Sequence, residues 1–315
     1  MAELSTYFFW TGLVTAVIAS AMYVAYVASA SVAVRRVSAQ TNAGTVTLSS
    51  VTGVPNAGIG RLATTFAAFT AMFLAAQVAA RWSATGHAPI SNLYEFTAAF
   101  AFGISAAYLA FEVHMGNRRF GVLALPIVAG MLGIASLFPS KITPLIPALQ
   151  NGPLLTIHVS VMMLSYAVLT VAFCGAAVYL AQGGEGRRRF AALPSAEAAG
   201  DLANKAVMVG FPMLGLGIAL GAWWANSAWG RYWGWDPKET AALVTWLSMA
   251  AYFHARAGNG SVAGAPGIRR IVPEKVRRGW RPDPMWWLIV MWGLVMFTYF
   301  AVNLWVSGLH SYAGV

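Results

Sequence analysis

The stretch WWANSAWGRYWGWDPKE, Trp223 to Glu239, sets five tryptophans beside a helix-start signature. Asp236 is suited to cap a helix. Pro237 suits the first helical position, where a missing N–H removes no bond, and Glu239 stands at capping-box spacing. The apolar run that follows reads as a helix crossing a membrane, and another apolar run ends near Trp223. The indoles of Trp223, Trp224, Trp229, Trp233 and Trp235 are therefore expected to gather at one face of a bilayer. Aromatic belts anchor many membrane proteins at headgroup level. A belt spreads its rings over several helix ends, whereas these sit in one loop of about 223–239. The expected use is a platform for a flat, apolar, anionic ligand.

Working outward, the whole chain has the composition of a polytopic membrane protein: 58% hydrophobic and 10% charged over 315 residues. The expected fold is all-α, a single integral membrane domain over residues 1–315 with about eight transmembrane helices. Eight apolar runs approach the roughly 20 residues that a span requires. They are Tyr7–Ala30, Leu62–Ala80, Leu93–Phe111, Phe120–Phe138, Leu154–Ala181, Ala206–Trp223, Thr240–His254 and Met285–Val306. The first lacks the preceding positive charges of a signal peptide and is too long for one, so it reads as a retained span. With the N-terminus outside, sixteen Lys and Arg fall in inner loops, and only Arg81, Lys141, Arg231 and Lys238 lie outside. That asymmetry sets the expected orientation and makes the tryptophan-rich loop extracytoplasmic. The net charge of +10 reports topology rather than a nucleic-acid stripe, and no nucleic-acid partner is expected.

Between the runs, residues of about 31–61 read as a cytoplasmic linker and those of about 256–284 as a basic cytoplasmic loop. Asn92 and Glu95 have capping-box spacing at the start of the third span, and Ser195 is suited to open a short surface helix. The four prolines between Pro139 and Pro153 predict an extended connection. The lone cysteine, Cys174, lies in an apolar run and reads as a core residue, so the chain brings no dithiol chemistry.

The histidines sort by depth. His158 lies just inside the outer end of the fifth span, and His310 just past the outer end of the eighth. Two imidazoles at one level, on different helices, are able to clasp one metal from opposite sides. His254 lies 18 residues beyond Asp236, roughly 27 Å deeper along a helix and near the inner face. There it is either interfacial or functional. His87 reads as a surface or capping residue, and His114 is given no role. Flat indoles, paired outer histidines and a polar edge together fit haem b. Arg231 and Lys238 are candidates to meet its propionates, or are simply solvated.

The run Trp229-Gly230-Arg231-Tyr232-Trp233-Gly234-Trp235-Asp236 matches the tryptophan-rich signature of haem-handling membrane proteins. Further matches are Gly86–Glu95, His158-Val159-Ser160, Ser165-Tyr166-Ala167, Tyr252-Phe253-His254-Ala255-Arg256, and Asn303 with Gly308–Tyr312. In order and extent the chain resembles the CcsA/ResC-type cytochrome c biogenesis family. The resemblance implies a subunit of a cytochrome c synthase in a bacterial plasma membrane. Its expected partners are a ResB-type membrane protein, an apocytochrome c, a separate thiol-reducing system and membrane lipid. It implies that His158 and His310 are the outer haem ligands and that His254 ligates haem at an inner station with a second ligand from the partner. Trp223, Trp224, Trp229, Gly230, Arg231, Trp233, Trp235 and Asp236 would then hold the cofactor, and no catalytic residue is assigned. Other readings are a haem exporter or chaperone without lyase activity and a membrane b-type electron carrier. A di-haem carrier needs facing histidine pairs deep in the bilayer, and only His254 is deep.

Overall fold

A computed structural model describes residues 1–40, 54–142, 145, 147–150, 152–264, 283–306 and 308–310. The described residues form helices without a strand. α1 spans Ala2–Gln40, α2 Ala57–Thr85, α3 Leu93–Met115, α4 Gly121–Ala135, α5 Gly152–Gln182, α6 Ala196–Trp229 and α7 Pro237–Gly264. α8 spans Met285–Leu304 and passes through a π-helical turn at Phe297–Ala301. Residues 41–53 of the expected linker and 265–282 of the expected basic loop lie outside the described residues.

Seven of these helices are long and apolar enough to cross a membrane, and the protein is a multi-pass, all-α membrane protein. α7 is the exception. It contains the expected seventh run, Thr240–His254, but Lys238, Glu239, His254 and Arg256 make it the least apolar of the long helices. α4 is the shortest candidate span, Arg118–Ala135 once its 3-10 lead-in is counted, and it carries Pro126 in its interior.

α1 packs along α2 and α4, while α3 joins that group to α5. α5 and α6 form the most extensive pair of the second half, with α8 seated against α5 and α7. One core runs through both halves, from Phe9, Tyr23 and Leu74 to Leu169, Tyr252 and Val295. The α5–α6 pair is close because α6 carries glycines at the contact. A Cβ on Gly210 would meet Leu169 at 2.5 Å, and one on Gly217 would meet Met162 at 2.5 Å. Small residues let helix backbones approach where lipid supplies little drive to associate.

Local signals behave as their chemistry requires. Asn92 Oδ1 accepts the Glu95 N–H at 2.9 Å, and Glu95 Oε2 accepts from the Ser91 N–H and hydroxyl. Ser195 caps α6 by accepting the Ala198 N–H at 3.2 Å. The helix it opens is not a short surface piece: it continues without a break into the sixth span. Arg81, expected in an outer loop, is buried near the end of α2. Its Nε donates to Glu95 Oε1 at 2.7 Å, and its guanidinium lies 5.4 Å from the Tyr94 ring centre. Near the other end of α3, buried Glu112 accepts hydroxyl hydrogen bonds from Tyr23, Tyr108 and Thr64.

Candidate functional site

A cavity opens where α5, α6, α7 and α8 meet near the tryptophan-rich stretch. Its empty space, with the open solvent at its mouth included, is about 1010 Å³. Its lining is largely apolar, including Phe96, Leu149, Leu155, Met162 and Ile218, and both His158 and His310 reach it.

His158 stands in the second turn of α5. Its Nδ1 lies 2.9 Å from the Gly217 carbonyl of α6. A carbonyl only accepts, so Nδ1 carries the proton and the neutral ring holds its lone pair on Nε2. The contact depends on a missing side chain one turn along α6. A Cβ on Gly221 would lie 2.5 Å from His158 Cε1.

His310 reaches the cavity from the segment after α8, and Asp236 determines how. Its Nδ1 donates to Asp236 Oδ1 at 2.7 Å, while the Leu309 N–H donates to Asp236 Oδ2 at 2.6 Å. The same carboxylate caps α7 by accepting the Lys238 N–H at 2.9 Å. Glu239 closes the capping box, accepting the Asp236 N–H at 3.1 Å and the Gly234 N–H at 2.9 Å. Burial would raise the Asp236 carboxyl. The hydrogen bond and charge of His310 and the two backbone N–H groups outweigh it, holding the group at about 2. Gly308 permits the approach, because a Cβ there would lie 2.6 Å from Asp236 Oδ2. In its neutral form His310 also carries its lone pair on Nε2. A metal-ligating histidine is oriented in this way, through a hydrogen bond on its other ring nitrogen.

The tryptophans separate into two sets. α6 continues through Trp223 and Trp224 to Trp229 and ends at Gly230, whose φ of 73° is the left-handed cap that glycine adopts without strain. Only residues 230–236 form a loop. Trp224 is fully buried; its plane lies within 7° of the His158 ring, with centroids 6.3 Å apart, and its centroid is 5.9 Å from that of His310. Trp229 meets Trp224 and His310 edge-on at 4.7 and 4.9 Å. Trp233 lines the cavity and meets Trp235 edge-on. Trp223 and Trp235 are exposed, at 60% and 70%. The five rings are therefore not one flat platform. Trp224 and Trp233 line the cavity, Trp229 braces Trp224 and His310, and the other two face outward.

Arg231 is exposed and lies over Gly234 rather than in the lining. Lys238 does line the cavity, and its Nζ donates to Asn303 Oδ1 at 2.8 Å. His254 is exposed on α7, outside the lining, and His87 donates to the neighbouring Ala88 carbonyl. Sequence reasoning missed Gly217 and Gly221 as supports of His158; their i, i+4 spacing on a helix was the available signal. It also missed Tyr166, whose buried hydroxyl at the cavity wall, like the Trp224 indole N–H, has no hydrogen-bond partner among the described residues.

The donor set decides which metal centre these residues suit. Among the described residues no three His, Cys, Asp or Glu side chains cluster to hold a bare ion. Two imidazoles in an apolar cavity suit a metal that brings its remaining ligands in a flat macrocycle.

A family model described as "Cytochrome C assembly protein" matches residues 90–310, which take in both histidines and the whole cavity. A protein of Synechococcus elongatus described as "Cytochrome c biogenesis protein CcsA" is 35% identical over 306 residues, covering 81% of this chain and 88% of the relative. Proteins of the same description from Microcystis aeruginosa and Porphyra purpurea are 34% and 31% identical, covering 80% and 81% of this chain and 87% and 88% of theirs.

Proposed function

Because this chain belongs to the cytochrome c assembly family, we propose that its cavity holds haem b between His158 and His310 for attachment to an apocytochrome c. The observation that carries this reading is the pair of imidazoles, each bonded through Nδ1 to the protein and both lining one apolar cavity beside Trp224. Bound haem supplies the metal and the vinyl carbons to which the two thiols of a Cys-x-x-Cys-His motif add.

The work of this chain is binding and position. Gly217 and Asp236 orient the two imidazoles, and Trp224 and Trp233 give the ligand apolar surface. The long apolar helices around the cavity exclude water from its floor. Holding reactants in register contributes much of the acceleration available to a reaction of this kind. The site lies at the outer face of a bacterial plasma membrane, as the charge asymmetry of the loops supports. A ResB-type partner completes the synthase, a separate system keeps the substrate thiols reduced, and His254 marks an inner station shared with that partner.

The direct test is the optical spectrum of the purified protein. The wild type is expected to carry b-type haem with a bis-histidine signature, and His158→Ala with His310→Ala to abolish it. An unchanged spectrum in the double variant overturns the proposal. Co-expression with an apocytochrome c, with and without a ResB-type partner, then scores covalent haem as the measure of synthase activity.

A further inference from the structure

Among the described residues the cavity lining holds one Lys or Arg, Lys238, and one carboxylate, Glu239, and the two form no ion pair. Lys238 enters from the first turn of α7, and its ammonium donates to the neutral amide oxygen of Asn303 at 2.8 Å. The two carboxylates nearest in sequence are engaged elsewhere. Asp236 is committed to His310, Leu309 and the α7 cap, and Glu239 to the N–H groups of Gly234 and Asp236. Among the described residues, no Asp or Glu oxygen lies within 4.0 Å of the Lys238 ammonium. An ammonium has three N–H donors, and one amide oxygen answers only one of them. A cation in a largely apolar cavity, with its neighbouring carboxylates Asp236 and Glu239 bonded to other groups, is stabilised by an anion that arrives with the ligand.

We infer that Lys238, held in place by Asn303, is the carboxylate-recognition pole of this cavity, taking an acid group of the flat ligand and so fixing which of its edges faces α7. The inference rests on the haem reading above and adds to it the orientation of the ligand. Burial lowers the ammonium to about 8, opposed by the charge of Asp236, which leaves it largely protonated at neutral pH. In a protoporphyrin the two acid groups share one edge and the vinyl groups lie away from it. A porphyrin with its acid edge at Lys238 therefore turns its vinyl groups from α7. Arg231, the other cation of the loop, lies outside the lining and has no part in this contact.

The test compares haem with haem dimethyl ester, which keeps the iron and macrocycle and removes both acid charges. Each is titrated into the haem-free full-length protein and followed in the Soret band. The wild type is expected to bind the diacid at least about tenfold tighter than the diester, the scale of one charge-assisted hydrogen bond in a partly buried site. Lys238→Met is expected to lose that preference while binding the diester as the wild type does; Lys238→Arg is expected to keep it. If Lys238→Met fails to fold, Lys238→Gln carries the same comparison. A Lys238→Met or Lys238→Gln protein that keeps the full preference overturns the inference. So does a wild type that binds both forms equally, and that result leaves the haem site standing. A wild type that binds neither form removes both.

Discussion

Asp236 links three parts of the protein through one side chain. It accepts from His310, from the Leu309 backbone and from the first turn of α7. Because its carboxyl is held at about 2, against an ordinary value of 3.8, the charged form stabilises the folded protein wherever the unfolded chain would also be ionised. The stabilisation is therefore full above the ordinary value and is lost as pH falls from 3.8 toward about 2. Unfolding measured across pH should show the wild type more stable than Asp236→Asn by a constant margin from pH 7 to about 5, closing only in the acid range. A margin that closes instead near neutral pH would mean that the stabilising charge is not this carboxylate. At this scale much was legible. The capping residues announce themselves by spacing, and the two histidines by depth counted along apolar runs. The tie between Asp236 and His310 joins positions 74 residues apart, and no local pattern encodes it.

The helix carrying three of the five tryptophans of the 223–239 stretch is longer than its composition suggests at both ends. Ser195 and the residues after it read as a separate short helix because Asp201, Asn204 and Lys205 interrupt the apolar pattern. At the other end, indoles mixed with Asn226 and Ser227 read as a loop. Burial of Trp224 and its contact with His158 carry the helix on to Gly230 instead. The α5–α6 contact was the least legible part, since close approach depends on what glycine lacks rather than on what it has. Gly221 provides its test. Alanine is favoured over glycine inside a helix by about 1 kcal/mol, so Gly221→Ala should not loosen α6 itself. The added Cβ would lie 2.5 Å from His158 Cε1 and has to displace the ring from the Gly217 carbonyl. The expected result is a protein that unfolds no more easily than the wild type yet has lost the bis-histidine spectrum. Retention of that spectrum would show that His158 is not held where the cavity requires it.

Across the whole molecule, the number and order of the long helices followed from hydropathy, because a bilayer sets the length of an apolar run. Which helices pack together did not, because lipid-facing and core-facing residues are both apolar. His254 is a problem at this scale. It is exposed on α7, outside the cavity, and roughly 27 Å along the helix from Asp236. If it holds haem at an inner station completed by a partner, His254→Gly expressed with that partner should leave the outer site underloaded although His158 and His310 are intact. Imidazole added to the culture should partly restore loading. Normal outer loading in that variant would reduce His254 to an interfacial side chain. The attachment of residues 308–310 to the α7 cap has another consequence, one of timing. A nascent chain that has inserted α5, α6 and α7 already has the Trp224 wall and His158, but Asp236 has no imidazole to hold. In the haem reading proposed above, the second iron ligand would arrive only after α8 has been threaded and Gly308 has closed against Pro237. On that reading, protein synthesised only as far as α7 would not clasp the cofactor, and insertion of α8 would act as the licence for loading.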